Sequence, residues 1–228
     1  MRKKVQKYSK KPIKEYLLAG GFVALVLTIP LSIVLNNQNQ NRQTHAATTY
    51  EVTSGDLKAF VQNIVDTELP RKDSEIFTEP TTGEVNDFTT MLTQLENGHY
   101  ADAQIIANNY NYQVIQYTDA AYNNQVVGML KEIPPYTRGW GIYVVHPGAS
   151  LRDVVVEAPH PIYDQYTAMV GVDMFRQLGA KKMFVAGTHR YAKSDASSDT
   201  AHNASSMLHL LSVNFTDGND WIVQPHGF

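Results

Sequence analysis

The stretch that decides the fold runs from Val154 to Thr167 and reads VVVEAPHPIYDQYT. Its first residues are β-branched and almost all apolar, which is typical of a strand buried on both faces of a sheet. Pro159 and Pro161 end the strand, because proline donates no backbone hydrogen bond and restricts the residue before it. The sequence therefore predicts a central strand with His160 at its carboxyl end.

The polar residues that follow this strand lie where open α/β sheets bind ligands, outside the carboxyl ends of the strands. Asp164 and Thr167 fall at the predicted start of a helix. Two later strands also end in a histidine-containing segment, at residues 188–190 (THR) and at residues 225–227 (PHG). We therefore expect three strand ends, each with a histidine, to meet at one edge of the sheet.

The order of predicted elements indicates the fold class. Helical spacing of apolar residues predicts helices near 54–70, 85–98 and 101–108, and β-rich runs at 112–118, 125–132 and 140–146 predict hairpin-connected antiparallel strands. After residue 156 the pattern becomes strand, helix, strand, helix, strand, with strands at 182–186 and 221–224. Such alternation builds a parallel sheet covered by helices. We predict an α/β fold with a mixed, largely parallel sheet and helices on both faces.

The first 35 residues combine a basic tail with a long apolar run. Residues 1–15 contain seven bases and one acid, and residues 16–35 contain no charge. Twenty such residues are about the length needed for a transmembrane helix. By the positive-inside tendency, we expect residues 1–15 in the cytoplasm, a single-pass membrane anchor at 16–35 and the main domain outside the cell membrane. A cleaved signal peptide is the alternative, but its candidate cleavage site at residues 44–46 lies late.

Differences in amino-acid composition along the chain predict a tether followed by a folded domain. Residues 36–49 are rich in Asn, Gln and Thr, so we predict a tether with one short helix over 36–83 and an extracytoplasmic α/β hydrolase-like domain over 84–228. The whole chain has a net charge of −3 although its tail is basic, so the rest is acidic, which argues against nucleic acid as a partner. There is no cysteine, which excludes disulfides, Cys-ligated zinc and a cysteine nucleophile.

The histidines and acids at the predicted strand ends form a candidate zinc site. Zinc favours imidazole nitrogen and carboxylate oxygen, and a catalytic zinc keeps three protein ligands and one position for water. His160, Asp164 and His226 would supply such a set for one ion. The ion would bring the pKa of its water near 7 and polarise a substrate carbonyl.

A general base is still required, and the candidates are Asp199 and Glu157, of which we favour Asp199. Asp199 is also a common type of helix N-cap, and Glu157 could be a structural charge paired to an arginine. His202, three residues after Asp199, could donate to the oxyanion or replace Asp164 or His226 as a ligand.

Other polar residues near these strand ends are candidates for substrate binding. Arg190 suits a substrate carboxylate, because guanidinium can bind it through two hydrogen bonds. The predicted substrate-binding residues are His189, Arg190, Asn203 and Thr167. No Gly-rich phosphate loop, Gly-x-Ser-x-Gly elbow or His-Glu-x-x-His helix occurs. A triad built on Ser197 or Ser198 is the remaining alternative without a metal.

The motif order resembles the zinc-dependent amidohydrolases of the N-formylglutamate amidohydrolase and poly-γ-glutamate hydrolase kind. The motifs are APHPIYDQYT at 158–167, AGTHR at 186–190, SDTAHN at 198–203 and QPHGF at 224–228, within about residues 139–228. The resemblance implies a phosphorylase/hydrolase-like α/β fold and one zinc on His160, Asp164 and His226. It departs at Asp164, where related sites often have Glu. Related enzymes also place further strands, often with a catalytic acid, after the last histidine; either this chain is a truncated product or its base comes from earlier in the chain.

These features together predict a membrane-anchored, zinc-dependent hydrolase that cleaves an amide bond in a peptide-like or glutamate-containing substrate. Cell-wall peptide and polyglutamate fit the expected location. A second hypothesis is a catalytically inactive domain of the same fold that binds a ligand or partner. A third is an enzyme that uses no metal.

Overall fold

A single sheet carries helices on both faces in the part of the chain that the computed structural model describes, residues 49–148, 152–216 and 220–227. The strands of these residues are β1 (Glu51–Gly55), β2 (Tyr112–Asp119), β3 (Gln125–Glu132), β4 (Ile142–Val145), β5 (Arg152–Ala158), β6 (Ala180–Val185) and β7 (Trp221–Val223). The α-helices are α1 (Leu57–Thr67), α2 (Thr82–Glu96), α3 (Tyr100–Ala107), α4 (Thr167–Leu178) and α5 (Met207–Phe215). The predicted α/β class is confirmed.

The sheet is mixed, with the strand order β1-β2-β3-β4-β6-β5-β7. β1 pairs with β2 in parallel, and β5 pairs in parallel with both β6 and β7. The pairs β2–β3, β3–β4 and β4–β6 are antiparallel. The first two of these come from the runs predicted as hairpin-connected strands. β5 has a partner on each side, as its apolar sequence predicts, although it lies one strand from the edge.

Two apolar cores lie on opposite faces of the sheet. Side chains of α1 and α4 pack on one face, and side chains of α2, α3 and α5 pack on the other. β5 contributes to both cores, since Val156 belongs to the first and Val155 to the second. Successive strand residues face opposite sides, so a strand that is covered on both faces needs an uninterrupted apolar run.

The helical connections between β5, β6 and β7 determine where a ligand could bind at the edge of the sheet. The chain passes from β5 to β6 through α4 on one face, and from β6 to β7 through α5 on the other face. The neighbouring strands β5 and β6 therefore send their connections to opposite sides of the sheet. A crevice opens between carboxyl ends arranged in this way, and ligands bind there in open α/β sheets.

Residues 51–67 belong to the folded unit, which begins earlier in the chain than the boundary at residue 84 expected from the sequence. β1 pairs with β2 along its whole length, and the α1 residues Leu57, Val61 and Ile64 are buried in the core. β1 lies at the sheet edge, and its residues are mostly exposed, so they carry no alternating apolar signal.

Residues 1–48 lie outside the described residues, and they include the predicted basic tail and the predicted membrane anchor at 16–35. Within the described residues, every helix is too short or too polar to cross a bilayer.

Candidate metal centre

A cleft of about 760 Å³ lies at the carboxyl ends of β5, β6 and β7. Segments that follow all three strands contribute to it, so the structure brings the three histidine-containing strand ends to one edge. The residues that line the cleft are His160, Tyr163, Asp164, Gln165, Arg190, His202, His226 and Gly227.

Asp164 lies between two imidazole rings. Its Oδ2 atom is 3.3 Å from Nδ1 of His160 and 3.3 Å from Nδ1 of His226, and one ligand atom from each of the three residues lies within 4.8 Å of the others. Zinc–nitrogen and zinc–oxygen bonds are about 2.0–2.1 Å, so neighbouring ligand atoms of a tetrahedral zinc lie about 3.3 Å apart. These three side chains therefore could hold a metal ion with little rearrangement.

The turn after β5 places the first two of these ligands. The backbone N–H of Asp164 donates to the carbonyl of His160 at 2.9 Å, which closes a turn between them. Thr167, which we predicted to bind substrate, is buried, and its hydroxyl donates to the Asp164 carbonyl at 2.8 Å. The structure thus places Thr167 beneath Asp164, at the start of α4 and outside the set of residues that line the cleft.

A second group of possible ligands shares His160. Asp199 Oδ1 lies 2.7 Å from Nε2 of His160 and 3.1 Å from Nδ1 of His202, and these three residues also bring one ligand atom each within 4.8 Å. Arg190 Nη2 donates to the other oxygen of Asp199 at 2.5 Å. His160 thus faces one group with Nδ1 and the other with Nε2.

Both aspartates of the cleft have a lowered pKa. Burial acts to raise the pKa of Asp164, but the N–H of Gly227 and the two nearby histidines outweigh it. Burial likewise acts to raise the pKa of Asp199, and the hydrogen bonds from His160 and His202 with the charge of Arg190 hold it below its usual range. Both side chains are therefore carboxylates at neutral pH, the form that binds cations.

Glu157, the other candidate base, lies on β5 behind the cleft. It is 2% exposed, and burial raises its pKa. The Ser212 hydroxyl donates to one of its oxygens, and Gln224 Nε2 donates to the other at 2.6 Å. Glu157 thus faces α5 and Gln224 and does not line the cleft.

His189 and Asn203, two predicted substrate-binding residues, lie around the cleft without lining it. The His189 backbone N–H donates to Pro70, and burial together with the nearby cations Lys72 and Arg71 lowers the pKa of its ring. The Asn203 amide donates to the carbonyl of Ser197 and so holds the loop that carries Asp199.

Tyr163 and Gln224 were missed by the sequence-based prediction. Tyr163 lines the cleft, is half exposed and meets Tyr191 edge-on at 5.3 Å, with the Arg190 guanidinium 5.1 Å from the Tyr163 ring centre. The tyrosines could have been noted from their place in loops beside the predicted histidines. Gln224 follows β7 and bridges Glu157 and His226, a relation that no local pattern indicates.

Comparison with protein-family models, with curated proteins and with solved structures finds no match to this chain. The resemblance to zinc-dependent amidohydrolases therefore depends on the four short motifs alone.

Proposed function

We propose that this protein is a zinc-dependent hydrolase that cleaves an amide bond, with His160, Asp164 and His226 as the metal ligands. The observation that carries the proposal is the pair of 3.3 Å distances from Asp164 Oδ2 to the two imidazole Nδ1 atoms. Two nitrogens and one oxygen at this spacing match a catalytic zinc set, and the cleft leaves room for a fourth ligand.

Two sets of residues could bind the metal, and both contain His160. The contacts of Asp199 favour the set of His160, Asp164 and His226 over the set of His160, Asp199 and His202. Asp199 is already paired with Arg190, so a metal at the second group would compete with a guanidinium for its carboxylate. A metal on Nδ1 of His160 instead leaves Nε2–H to donate to Asp199. Metal-binding histidines usually make such a bond with their second nitrogen.

Bound zinc would supply a water activated near neutral pH and would polarise the carbonyl of the substrate. Asp199 holds the His160 and His202 rings in place, since its oxygens contact both imidazoles and Arg190. The His202 side chain is 75% exposed and lines the cleft, so it can reach a substrate. We assign proton transfer to His202, and Asp199 orients this ring.

Arg190 and Tyr163 are the proposed substrate contacts. Arg190 lines the cleft and its side chain is partly exposed, so the guanidinium, which carries five N–H donors, can offer one to a substrate oxygen besides the bond to Asp199. A carboxylate is the group that guanidinium binds best, which supports a peptide-like or glutamate-containing substrate. The tail and apolar run of residues 1–35 support display outside the cell membrane.

A binding domain without catalysis is the second candidate. Neither carboxylate considered as a general base is free, since Asp199 contacts three side chains and Glu157 lies behind the cleft. Such a domain would bind the metal and the substrate but would not turn it over.

Metal analysis of the full chain tests both proposals. We expect one zinc per chain after chelation and reloading, and loss of this zinc in His160→Ala, Asp164→Ala and His226→Ala. His202→Ala is the matched control and should still bind one zinc. Amine release from γ-glutamyl peptides and from cell-wall peptides then measures hydrolysis. A wild-type chain that takes up no zinc would refute both proposals, and zinc uptake with no hydrolysis of either substrate would favour the binding domain.

A further inference from the structure

A chain of hydrogen bonds runs from α5 to the cleft and ends on a proposed metal ligand. Ser212 on α5 donates to Glu157, and Gln224 Nε2 donates to the other oxygen of Glu157 at 2.6 Å. Gln224 Oε1 lies 3.4 Å from Nε2 of His226. The opposite nitrogen of this ring, Nδ1, faces Asp164.

Glu157 fixes the orientation of the Gln224 amide. The Glu157 oxygen that meets Gln224 is an acceptor, so the Gln224 NH₂ group faces it and the carbonyl faces His226. Ser212 contacts the other Glu157 oxygen, and its hydroxyl also reaches the carbonyl of Leu208 at 2.9 Å. A proton on that second oxygen could bond to Ser212, so the orientation of Gln224 does not depend on the charge of Glu157.

The Gln224 carbonyl in turn favours the tautomer of His226 that can bind a metal through Nδ1. A carbonyl only accepts, so it stabilises a hydrogen on Nε2 of His226, whereas the Asp164 carboxylate accepts a hydrogen from Nδ1 when no metal is bound. His160 has the same arrangement, with Nε2 at Asp199 and Nδ1 at Asp164. The two rings thus present the same atom to the same position.

We infer that Gln224 is a positioning residue that prepares His226 to bind the metal, and that Glu157 acts through it. This inference builds on the zinc site proposed above. Groups that orient metal-binding histidines typically change metal affinity about 10- to 100-fold when they are removed. Glu157 then has a role that requires no contact with substrate.

Zinc affinity of the full chain, measured by chelator competition, is the first test. Gln224→Met keeps the length of the side chain and removes the amide, so we expect zinc to bind about 10- to 100-fold more weakly. Gln113→Met is the matched control. Gln113 also donates two hydrogen bonds from its amide, and four strands separate β2 from β7, so its loss should leave zinc affinity unchanged.

The tautomer of His226 in the metal-free protein is the second test, and ring ¹⁵N shifts at pH 8 report it directly. Gln224→Met should shift the hydrogen of His226 from Nε2 toward Nδ1, where Asp164 accepts it, and Glu157→Gln should keep the wild-type balance, because Gln also offers a carbonyl to Gln224. A purely structural role of Gln224 would change unfolding but not the tautomer.

The outcomes separate this inference from the proposed function. If wild type binds zinc and Gln224→Met binds it equally well, or if Gln224→Met leaves the tautomer balance of His226 unchanged, Gln224 does not position the ring. If wild type binds no zinc, the metal proposal fails, and the tautomer measurement still decides whether Gln224 orients His226. If Gln224→Met does not fold, Gln224→Ala, which also removes the amide, provides the same two comparisons with wild type.

Discussion

Nε2 of His160 lies 2.7 Å from Oδ1 of Asp199, so a buried carboxylate holds the ring from the side opposite to its proposed metal-binding nitrogen. Arg190 binds the second oxygen of the same carboxylate. The sequence suggested Asp199 as a general base, and no comparison tests that role. Its contacts favour a role in anchoring the His160 ring.

Asp199→Asn should weaken zinc binding about 10- to 100-fold, because the ring loses its charged partner and Arg190 loses its counter-ion. Chelator competition on the full chain measures this. Asp195→Asn is the control, since Asp195 lies in the same loop, is exposed and bonds to Ser197. Unchanged zinc affinity with abolished hydrolysis would instead identify Asp199 as the base.

Arg176→Met should lower the free energy of unfolding by about 3–5 kcal/mol, because it leaves the buried carboxylate of Asp119 without its cation. Arg176 donates to both oxygens of Asp119, at 2.8 and 2.7 Å, and Asp119 is 2% exposed. Urea denaturation measures the change. Lys58→Met, which removes the half-exposed pair with Asp173, should cost at most about 1 kcal/mol. Equal losses in the two variants would contradict this ranking.

His146 should make the fold less stable in acid. Burial lowers the pKa of its ring to about 4, and the ring stacks on Phe175 at 4.3 Å. An unfolded histidine titrates near 6.5. Above that pH the ring is neutral in both states and stability is full; as the pH falls toward 4, only the unfolded chain takes up the proton, and about 3 kcal/mol is lost.

Urea denaturation between pH 7 and pH 4 measures this loss. His146→Leu is similar in size and cannot titrate, so its stability should fall less steeply than that of wild type over this range. The carboxylates of the chain titrate in both proteins, so the difference between the two curves isolates His146. Parallel curves would mean that His146 does not contribute.

Gly141→Ala should lower the free energy of unfolding by about 3 kcal/mol or more. Gly141 has φ of +113°, and a Cβ there would lie 2.0 Å from the carbonyl oxygen of Val185, the last residue of β6. Gly98→Ala, at φ of +75° with open space around it, should cost only about 1–2 kcal/mol. Thermal unfolding measures the loss of stability in both variants. A smaller loss for Gly141→Ala than for Gly98→Ala would show that the backbone around Gly141 shifts to accommodate the Cβ.

The sequence predicted the parts of the fold that have a strong local signal. The apolar run of β5 marks a strand covered on both faces, and Gly179 ends α4 with a left-handed φ of 59°, as a helix-ending glycine does. β1 has no such signal, because an exposed edge strand needs only backbone pairing with β2. Its place in the sheet comes from tertiary contacts.

The sequence likewise predicted some residues of the candidate site and not others. His160, Asp164 and His226 could be predicted as neighbours, since parallel strands bring their carboxyl ends to one edge. The partners behind them could not, because they depend on the path of long connections. Asp199 meets His160 across 39 residues, and Gln224 meets Glu157 across 67 residues.

The last described residues, 224–227, follow a strand of only three residues, so little backbone pairing secures them to the sheet. Asp164 anchors the end of this segment, through the N–H of Gly227 and the ring of His226, and Glu157 anchors Gln224 at its start. An ion shared by Asp164 and His226 would connect this segment to the start of α4. Chelation should therefore speed amide hydrogen exchange in residues 224–227, so that the exchange rate would report whether the ion is bound.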